Sequence, residues 1–126
     1  LELEVALVED SALPSFGDAR VTISVHSNGF GGRNDLWVGA EEFREFCSSL
    51  VKLEAERKGE ATLSSISPGV LHLKIYSVDS LGHLAVSGAT GRQMANMDHN
   101  LTFGFQFDPS QLVKAAALPW IKQSSI

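Results

Sequence analysis

The sequence has little of what marks a secreted or membrane-bound protein. Its single cysteine, Cys47, cannot form an intrachain disulfide, which favours a reducing compartment. No apolar run approaches the ~18 residues that cross a bilayer. The acidic N-terminal stretch lacks the basic residues that open a signal peptide. The chain starts at Leu1 and not at a methionine, which leaves a leader upstream open. The expectation is a cytoplasmic protein without membrane association.

Basic residues are also few. Ten lysines and arginines stand against fifteen acidic residues, which gives a net charge of −5. The basic residues are scattered along the chain, whereas phosphate backbones require a clustered basic surface. Nucleic acid is therefore not expected as the main ligand, and the acidic balance suits a basic protein partner.

A phosphate-binding loop is missing despite a glycine-rich stretch. Gly29, Gly31 and Gly32 follow a predicted strand, but the next predicted helix starts only about ten residues later. The lysine and hydroxyl residue of a P-loop are absent as well. The three glycines are predicted to supply positive-φ positions in a hairpin connection.

The composition is that of a globular domain. The chain has 126 residues, of which 44% are hydrophobic and 20% charged. This length is close to the commonest domain size, and no linker or internal repeat interrupts it. Residues 1–126 are predicted to form a single α+β domain.

Hydrophobic periodicity gives the order of the elements. Period-2 alternation predicts strands in the first third of the chain, including a short one at Leu36 to Val38. Helical spacing then runs from Glu41 to Lys58 and stops before Gly59. Three further strands precede a polar loop, "ATGRQMANMDHN", and a last strand, "LTFGFQF". Asp108, Pro109 and Gln111 then indicate a capped short helix that ends at Pro119.

These elements predict a mostly antiparallel β-sheet of about five to seven strands, with one long and one short helix packed on one face. Cys47 lies on the apolar face of the long helix and is predicted to be a core residue, not a nucleophile. The predicted core contains Val21, Ile23, Val25, Phe43, Phe46, Leu50, Leu73, Ile75, Val86, Phe103 and Phe105.

The four histidines do not predict a metal site. If Leu73 lies opposite Val86, and Val86 opposite Phe103, then His83 and His99 fall at opposite ends of one hairpin. His26 belongs to a distant strand, and no metal-ligand spacing is present. The serines lack a nucleophile-elbow motif too. The sequence predicts no metal, no cofactor and no catalytic residue.

The second face of the predicted sheet is a candidate recognition surface. In the same register it carries aromatic, cationic and amide side chains, which suit a protein contact, although one face of an antiparallel sheet often simply meets water. The long helix offers an acidic alternative through Glu42 and Glu45, unless they only form a solvated helix face. The candidate partner-binding residues are Glu42, Glu45, His72, Lys74, Tyr76, His83 and Gln106.

Three stretches carry a resemblance to a known group. They are "WVGAEEFREFCSSL" entering the long helix, "VDSLGHLAVSG" in a central hairpin, and "FQFDPSQL" entering the last helix. From Val21 to Leu118 the chain resembles small bacterial proteins, uncharacterised or of immunity type, that are grouped with the WapI immunity protein. The resemblance implies a protein that binds and neutralises a partner toxin in the cytoplasm without catalysis. It identifies no toxin-contacting residue.

The resulting hypothesis is a non-catalytic binding protein, with two alternatives. A small-ligand-binding or enzymatic domain would use a cavity between sheet and helix, and a pocket there holding His83, Tyr76 or His99 would favour it. A self-associating subunit would pair an exposed edge strand or sheet face with a second copy, giving a homo-oligomer.

Overall fold

A computed structural model describes residues 1–124 as seven strands and three helices. The predicted α+β class, with antiparallel strands and one long helix, is confirmed. In chain order the elements are β1 (Glu2–Leu7), β2 (Ala19–Ser27), β3 (Phe30–Val38), α1 (Ala40–Glu56), β4 (Glu60–Ser64), β5 (Leu71–Ser77), β6 (Leu84–Met94), β7 (Met97–Phe107), α2 (Pro109–Ala116) and α3 (Pro119–Ser124).

The strands form two hydrogen-bonded sheets, where the sequence predicted one. The order is β1-β2-β3 in the three-stranded sheet and β4-β5-β6-β7 in the four-stranded sheet, antiparallel throughout. Helix α1 separates the two groups in the chain. Alternation along a strand identifies which of its faces is buried, but it does not show which other strand is its hydrogen-bonded neighbour. The sequence pattern therefore could not show that the strands before and after α1 form separate sheets.

The core lies between the inner faces of the two sheets and α1. All the predicted core residues are buried except Phe105, which is half-buried and packs against the core. Cys47 is fully buried, as predicted. Helix α1 stops at Arg57, whose left-handed backbone (φ 57°) directs its N–H to Leu53 O. The predicted end near Gly59 was therefore two residues late.

The glycine-rich stretch is only partly a turn. A two-residue turn joins β2 to β3, with positive φ at Asn28 (53°) and Gly29 (83°), as in a type I′ hairpin. Gly31 and Gly32, predicted to be turn glycines as well, lie inside β3 opposite β2. Strand β3 is thus nine residues long and not the short strand that was predicted.

The prediction of a polar loop between the last two strands is wrong. Strands β6 and β7 continue to Met94 and Met97, and a turn with positive φ at Ala95 and Asn96 joins them. Pairing with β5 stops at Leu71 opposite Thr90, so residues 91–100 form a two-stranded extension, here called the distal arm. Its residues are mostly exposed on both faces, so no apolar alternation marks it as strand.

The predicted register of the four-stranded sheet was wrong by two residues. Val86 pairs with Ile75 and Phe105, and Gly88 takes the place between Leu73 and Phe103. A register shift of two residues leaves every side chain on its predicted face of the sheet, so the predicted assignment of faces is confirmed. Position 88 accommodates only glycine, because a methyl group on its Cα would lie 2.6 Å from His72 O and 2.9 Å from Phe103 Cζ.

The C-terminal part contains one more helix than predicted. Asp108 caps α2 as expected, since its Oδ1 accepts a hydrogen bond of 2.8 Å from the Ser110 N–H. Pro119, predicted to end a helix, also begins α3. In α3 the Trp120 ring packs against Phe43, with ring centroids 5.6 Å apart, which ties α3 to α1.

Candidate functional site

The outer face of the four-stranded sheet brings most of the predicted contact residues together. His72, Lys74 and Tyr76 alternate along β5 with buried leucine and isoleucine side chains. Gln106 lies in the same cross-strand row as Tyr76, with Ala85 of the middle strand between them. On this face the middle strand β6 carries small side chains, those of Ala85, Ser87 and Ala89.

Side chains on this face are held by local contacts. Lys74 Nζ lies 3.0 Å from Glu60 Oε2 and 4.9 Å from the centre of the Tyr76 ring. His72 Nδ1 is 3.0 Å from Ser64 Oγ. An exposed ion pair of this kind adds little stability, but it orders a long flexible side chain. The outer face thus presents a cation and an aromatic ring in a defined arrangement.

His83 is not part of this face. The predicted position opposite Tyr76 and Gln106 belongs to Ala85, because of the register difference. His83 instead lies in the loop between β5 and β6, with Nδ1 2.6 Å from Asp79 Oδ2. The hydrogen bond from His83 is the main reason that the pKa of Asp79 is lowered.

Glu42 and Glu45 lie on the exposed side of α1, while Phe43 and Phe46 face the core. The helix packs on the inner side of the four-stranded sheet. The acidic residues and the outer sheet face therefore lie on opposite sides of that sheet.

The histidines are dispersed over the structure. His26 lies on β2, His72 on the outer face of β5, His83 in a loop and His99 on the distal arm. Within residues 1–124, no group of three or more His, Cys, Asp or Glu side chains is placed to hold a metal ion. Burial raises the pKa of the Cys47 thiol to about 12, so this residue is not a reactive thiolate at neutral pH.

A cavity of about 150 Å³ lies between the four-stranded sheet and the helices. Its walls are apolar side chains such as Leu50, Ile75 and Phe105, with one amide from Gln111. None of Tyr76, His83 and His99 lines it. The feature that would favour a ligand-binding or enzymatic domain is thus not found in this cavity.

A larger groove, of about 570 Å³, separates β3 from the inner face of the distal arm. We call it the inter-sheet groove. One wall is formed by residues 31–35 of the three-stranded sheet, and the other by side chains of β6 and β7. It is lined by Gly31, Gly32, Arg33, Asn34, Asp35, Thr90, Gly91, Arg92, Met94, His99, Asn100 and Leu101.

A hydrogen-bond network connects the two walls. Asn34, which is only 8% exposed, donates from Nδ2 to Thr90 Oγ1 and to Gly91 O, both at 3.0 Å. Arg92 Nη2 donates to Asn34 Oδ1 at 3.1 Å and to Asp35 O at 3.4 Å. Since buried polar groups are costly to leave unpaired, this network fixes the distal arm relative to β3.

Sequence reasoning missed the inter-sheet groove because it treated both of its walls as turns or loops. One signal was present: Asn96 sits between Met94 and Met97, and Arg92 and His99 flank them symmetrically. Asparagine tolerates positive φ, so this arrangement is typical of a hairpin. No signal could show that the hairpin would face β3, because that contact joins parts of the chain 56 residues apart.

In the part of the chain that the structure describes, no helix is both long and apolar enough to cross a membrane. Residues 3–118 match the model of the immunity protein WapI-like family, and the chain belongs to that family. The match confirms the resemblance seen in the sequence and extends it through β1. No curated protein and no solved structure matches the chain.

Proposed function

We propose that this member of the WapI-like immunity protein family is a non-catalytic cytoplasmic protein, and that residues 1–126 form one α+β domain that binds and neutralises a partner toxin. One observation carries the proposal: the family match runs from β1 through α2. Family membership supports an immunity role in general and implies a partner toxin in general. The toxin's chemistry and the location are our inference.

Neutralisation by binding requires an ordered surface more than a reactive site. The outer sheet face meets this requirement, because Lys74 is held by Glu60 and by the Tyr76 ring. Within the described residues no three His, Cys, Asp or Glu side chains converge to hold a metal ion, His83 pairs with Asp79 in an exposed loop, and Cys47 is buried. These features favour a binding protein over an enzyme.

The charge of the chain supports a basic partner. The net charge is −5, and Glu42 and Glu45 are exposed on α1. Long-range attraction of this kind accelerates association and is weakened by salt. The proposal needs neither a nucleic acid nor a membrane as partner.

The predicted contact residues define two alternative surfaces for that partner. The first is the outer sheet face, with His72, Lys74, Tyr76 and Gln106, and with His83 in the adjoining loop. The second is the exposed side of α1 with Glu42 and Glu45. Self-association through an exposed sheet edge is a further alternative, and a mass that depends on concentration would reveal it.

Co-expression with the products of the adjacent genes tests the proposed function. We expect one of them to be toxic alone, to be tolerated when this chain is present, and to co-purify with it in a stoichiometric complex that weakens as salt is raised. An unrelated immunity protein of similar net charge serves as the control. If no adjacent product is neutralised or retained, the proposed function is wrong.

A further inference from the structure

The outer edge of β3 offers unpaired backbone groups to the inter-sheet groove. In an antiparallel ladder, alternate residues direct their N–H and C=O away from the neighbouring strand. On β3 the outward residues are identified by two contacts: Trp37 O accepts from the Ile66 N–H, and Asp35 O accepts from Arg92. Arg33 and Gly31 lie two and four residues before Asp35 and follow the same alternation, so the N–H and C=O groups of both residues also point away from β2, into the groove.

The outward backbone groups of Gly31 and Arg33 form no backbone hydrogen bond with another described element. An unpaired strand edge is a template for another strand, and most proteins protect it with a charge, a proline or a cover. Here the edge carries glycines at positions 31 and 32, which add no side chain of their own, while His26 and Leu101 lie beside them.

The opposite wall supplies adaptable apolar contacts. Met94 lines the groove and is 59% exposed, and Met97, beyond the turn, is 67% exposed. Methionine has a flexible, polarisable side chain and is common on surfaces that accommodate a partner. Two exposed methionines at the end of an arm are difficult to explain by stability, because neither is buried.

The groove also has a charge opposite to that of the whole chain. Arg33 and Arg92 line it, and among the described residues that line it Asp35 alone carries a carboxylate. Asp35 is already engaged, since its Oδ1 accepts a 2.6 Å hydrogen bond from Thr22, which is the main reason that its pKa is lowered. Asp35 offsets only one of the two guanidinium charges, so an excess of one positive charge remains among the lining residues, and a carboxylate is a group that arginine binds well.

From these observations we propose that the inter-sheet groove receives an extended segment of the partner protein that carries an aspartate or glutamate. The segment pairs with β3 at Gly31 and Arg33, contacts Met94, and places its carboxylate between Arg33 and Arg92. This inference rests on the proposed function and locates the partner's contact. The partner as a whole is basic, and the inserted segment is its acidic part.

The paired stretch is short for a structural reason. Farther along β3, Asp35 O and Trp37 O already accept hydrogen bonds from Arg92 and Ile66. The added strand can therefore pair only at the turn-proximal half of β3. Strand addition provides affinity through main-chain hydrogen bonds, while specificity comes from the flanking side chains, in this case the arginines and methionines.

Charge reversal in the groove tests this inference. The probe is the toxin identified by co-expression, and the variant is Arg33→Glu, because Arg33 is exposed and takes no part in the network that fixes the arm. We expect its Kd for the toxin to rise by about tenfold or more. The matched control is Lys58→Glu in the connection between α1 and β4, which makes the same change of charge at an exposed residue outside the groove and outside both candidate surfaces. We expect its Kd to stay within about twofold of the native chain.

Amide hydrogen exchange in the complex provides a second measurement that does not depend on charge. We expect the amides of Gly31 and Arg33 to become protected when the toxin binds, since each gains a backbone acceptor. Protection with unchanged affinity in Arg33→Glu would overturn the carboxylate contact. Unchanged affinity without protection would overturn the whole inference and leave the immunity role standing. A native chain that binds no toxin would overturn both.

Discussion

Strands β6 and β7 each run through two different environments. From Leu84 to Thr90, β6 lies between β5 and β7, and its inward side chains are buried in the core. In the distal arm, residues 91–100, the same two strands have no third strand beside them. The first part is held by apolar burial, whereas the arm is held by the hydrogen bonds of Asn34 and Arg92.

This difference separates stability from recognition within one hairpin. An isolated two-stranded hairpin is only marginally stable in water, so the arm depends on its few anchoring contacts. Because those contacts join it to β3, they also set the width of the inter-sheet groove. Changes in the packed part are expected to unfold the protein, and changes at the anchor are expected to release the arm.

The largest expected effect is in the packed part. Gly88→Ala places a methyl group 2.6 Å from His72 O and 2.9 Å from Phe103 Cζ, and the backbone oxygen cannot move away cheaply. We expect a loss of about 3 kcal/mol in the free energy of unfolding, measured by urea denaturation. Gly104→Ala is the control, because its new methyl group would lie no closer than 3.6 Å to Val86 O. Equal effects of the two substitutions would contradict this account.

An intermediate effect is expected at the anchor of the arm. Asn34→Ala removes two donated hydrogen bonds and leaves Thr90 and Gly91 with less pairing. We expect a loss of about 1–2 kcal/mol in the free energy of unfolding. Amide exchange should accelerate in residues 91–100 more than in the packed part of β6 and β7. Gln93→Ala, an exposed residue of the arm, is the control. Uniform acceleration over both strands would show that arm and packed part open together.

The smallest expected effect depends on pH. The hydrogen bond from Thr22, and then the nearby arginines, lower the pKa of Asp35 in the folded chain. Its contribution is therefore fully present above the unfolded pKa, near 3.8, and is lost as the pH falls through the lowered folded value. We expect Asp35→Asn to lose slightly less stability than the native chain between pH 5 and pH 2 in thermal melts. Thr22→Val should reduce the acid dependence in the same direction, and an unchanged slope in both variants would argue against the contact.

The sequence predicted well wherever a pattern repeats within one element. Alternation located Val21, Ile23 and Val25 in the core, and helical spacing located Phe43 and Phe46. The cap at Asp108 was predictable because its signal lies within two residues. These are local effects, set by strand and helix geometry.

Prediction failed where long-range contacts decide the outcome. The register was wrong because Gly88, and not Val86, sits beside Phe103, and nothing in the alternation distinguishes two positions of equal parity. The distal arm was missed because both of its faces are exposed, which removes the apolar pattern. The sheet face was predicted with the correct side chains except His83, while the inter-sheet groove needed the tertiary contact of Asn34 with Thr90.

The buried Cys47 gives the protein an internal chemical reporter. It is the one cysteine of the chain, and its side chain is covered by the core under α1. A thiol reagent can modify it only in molecules where α1 has separated from the elements packed on it, which include α3 through Ser124, because the thiol is both inaccessible and protonated. The rate of its labelling therefore reports openings around α1, release of α3 included, and does not report movements of the distal arm. It measures, in the unmodified native sequence, how often the structure around α1 opens.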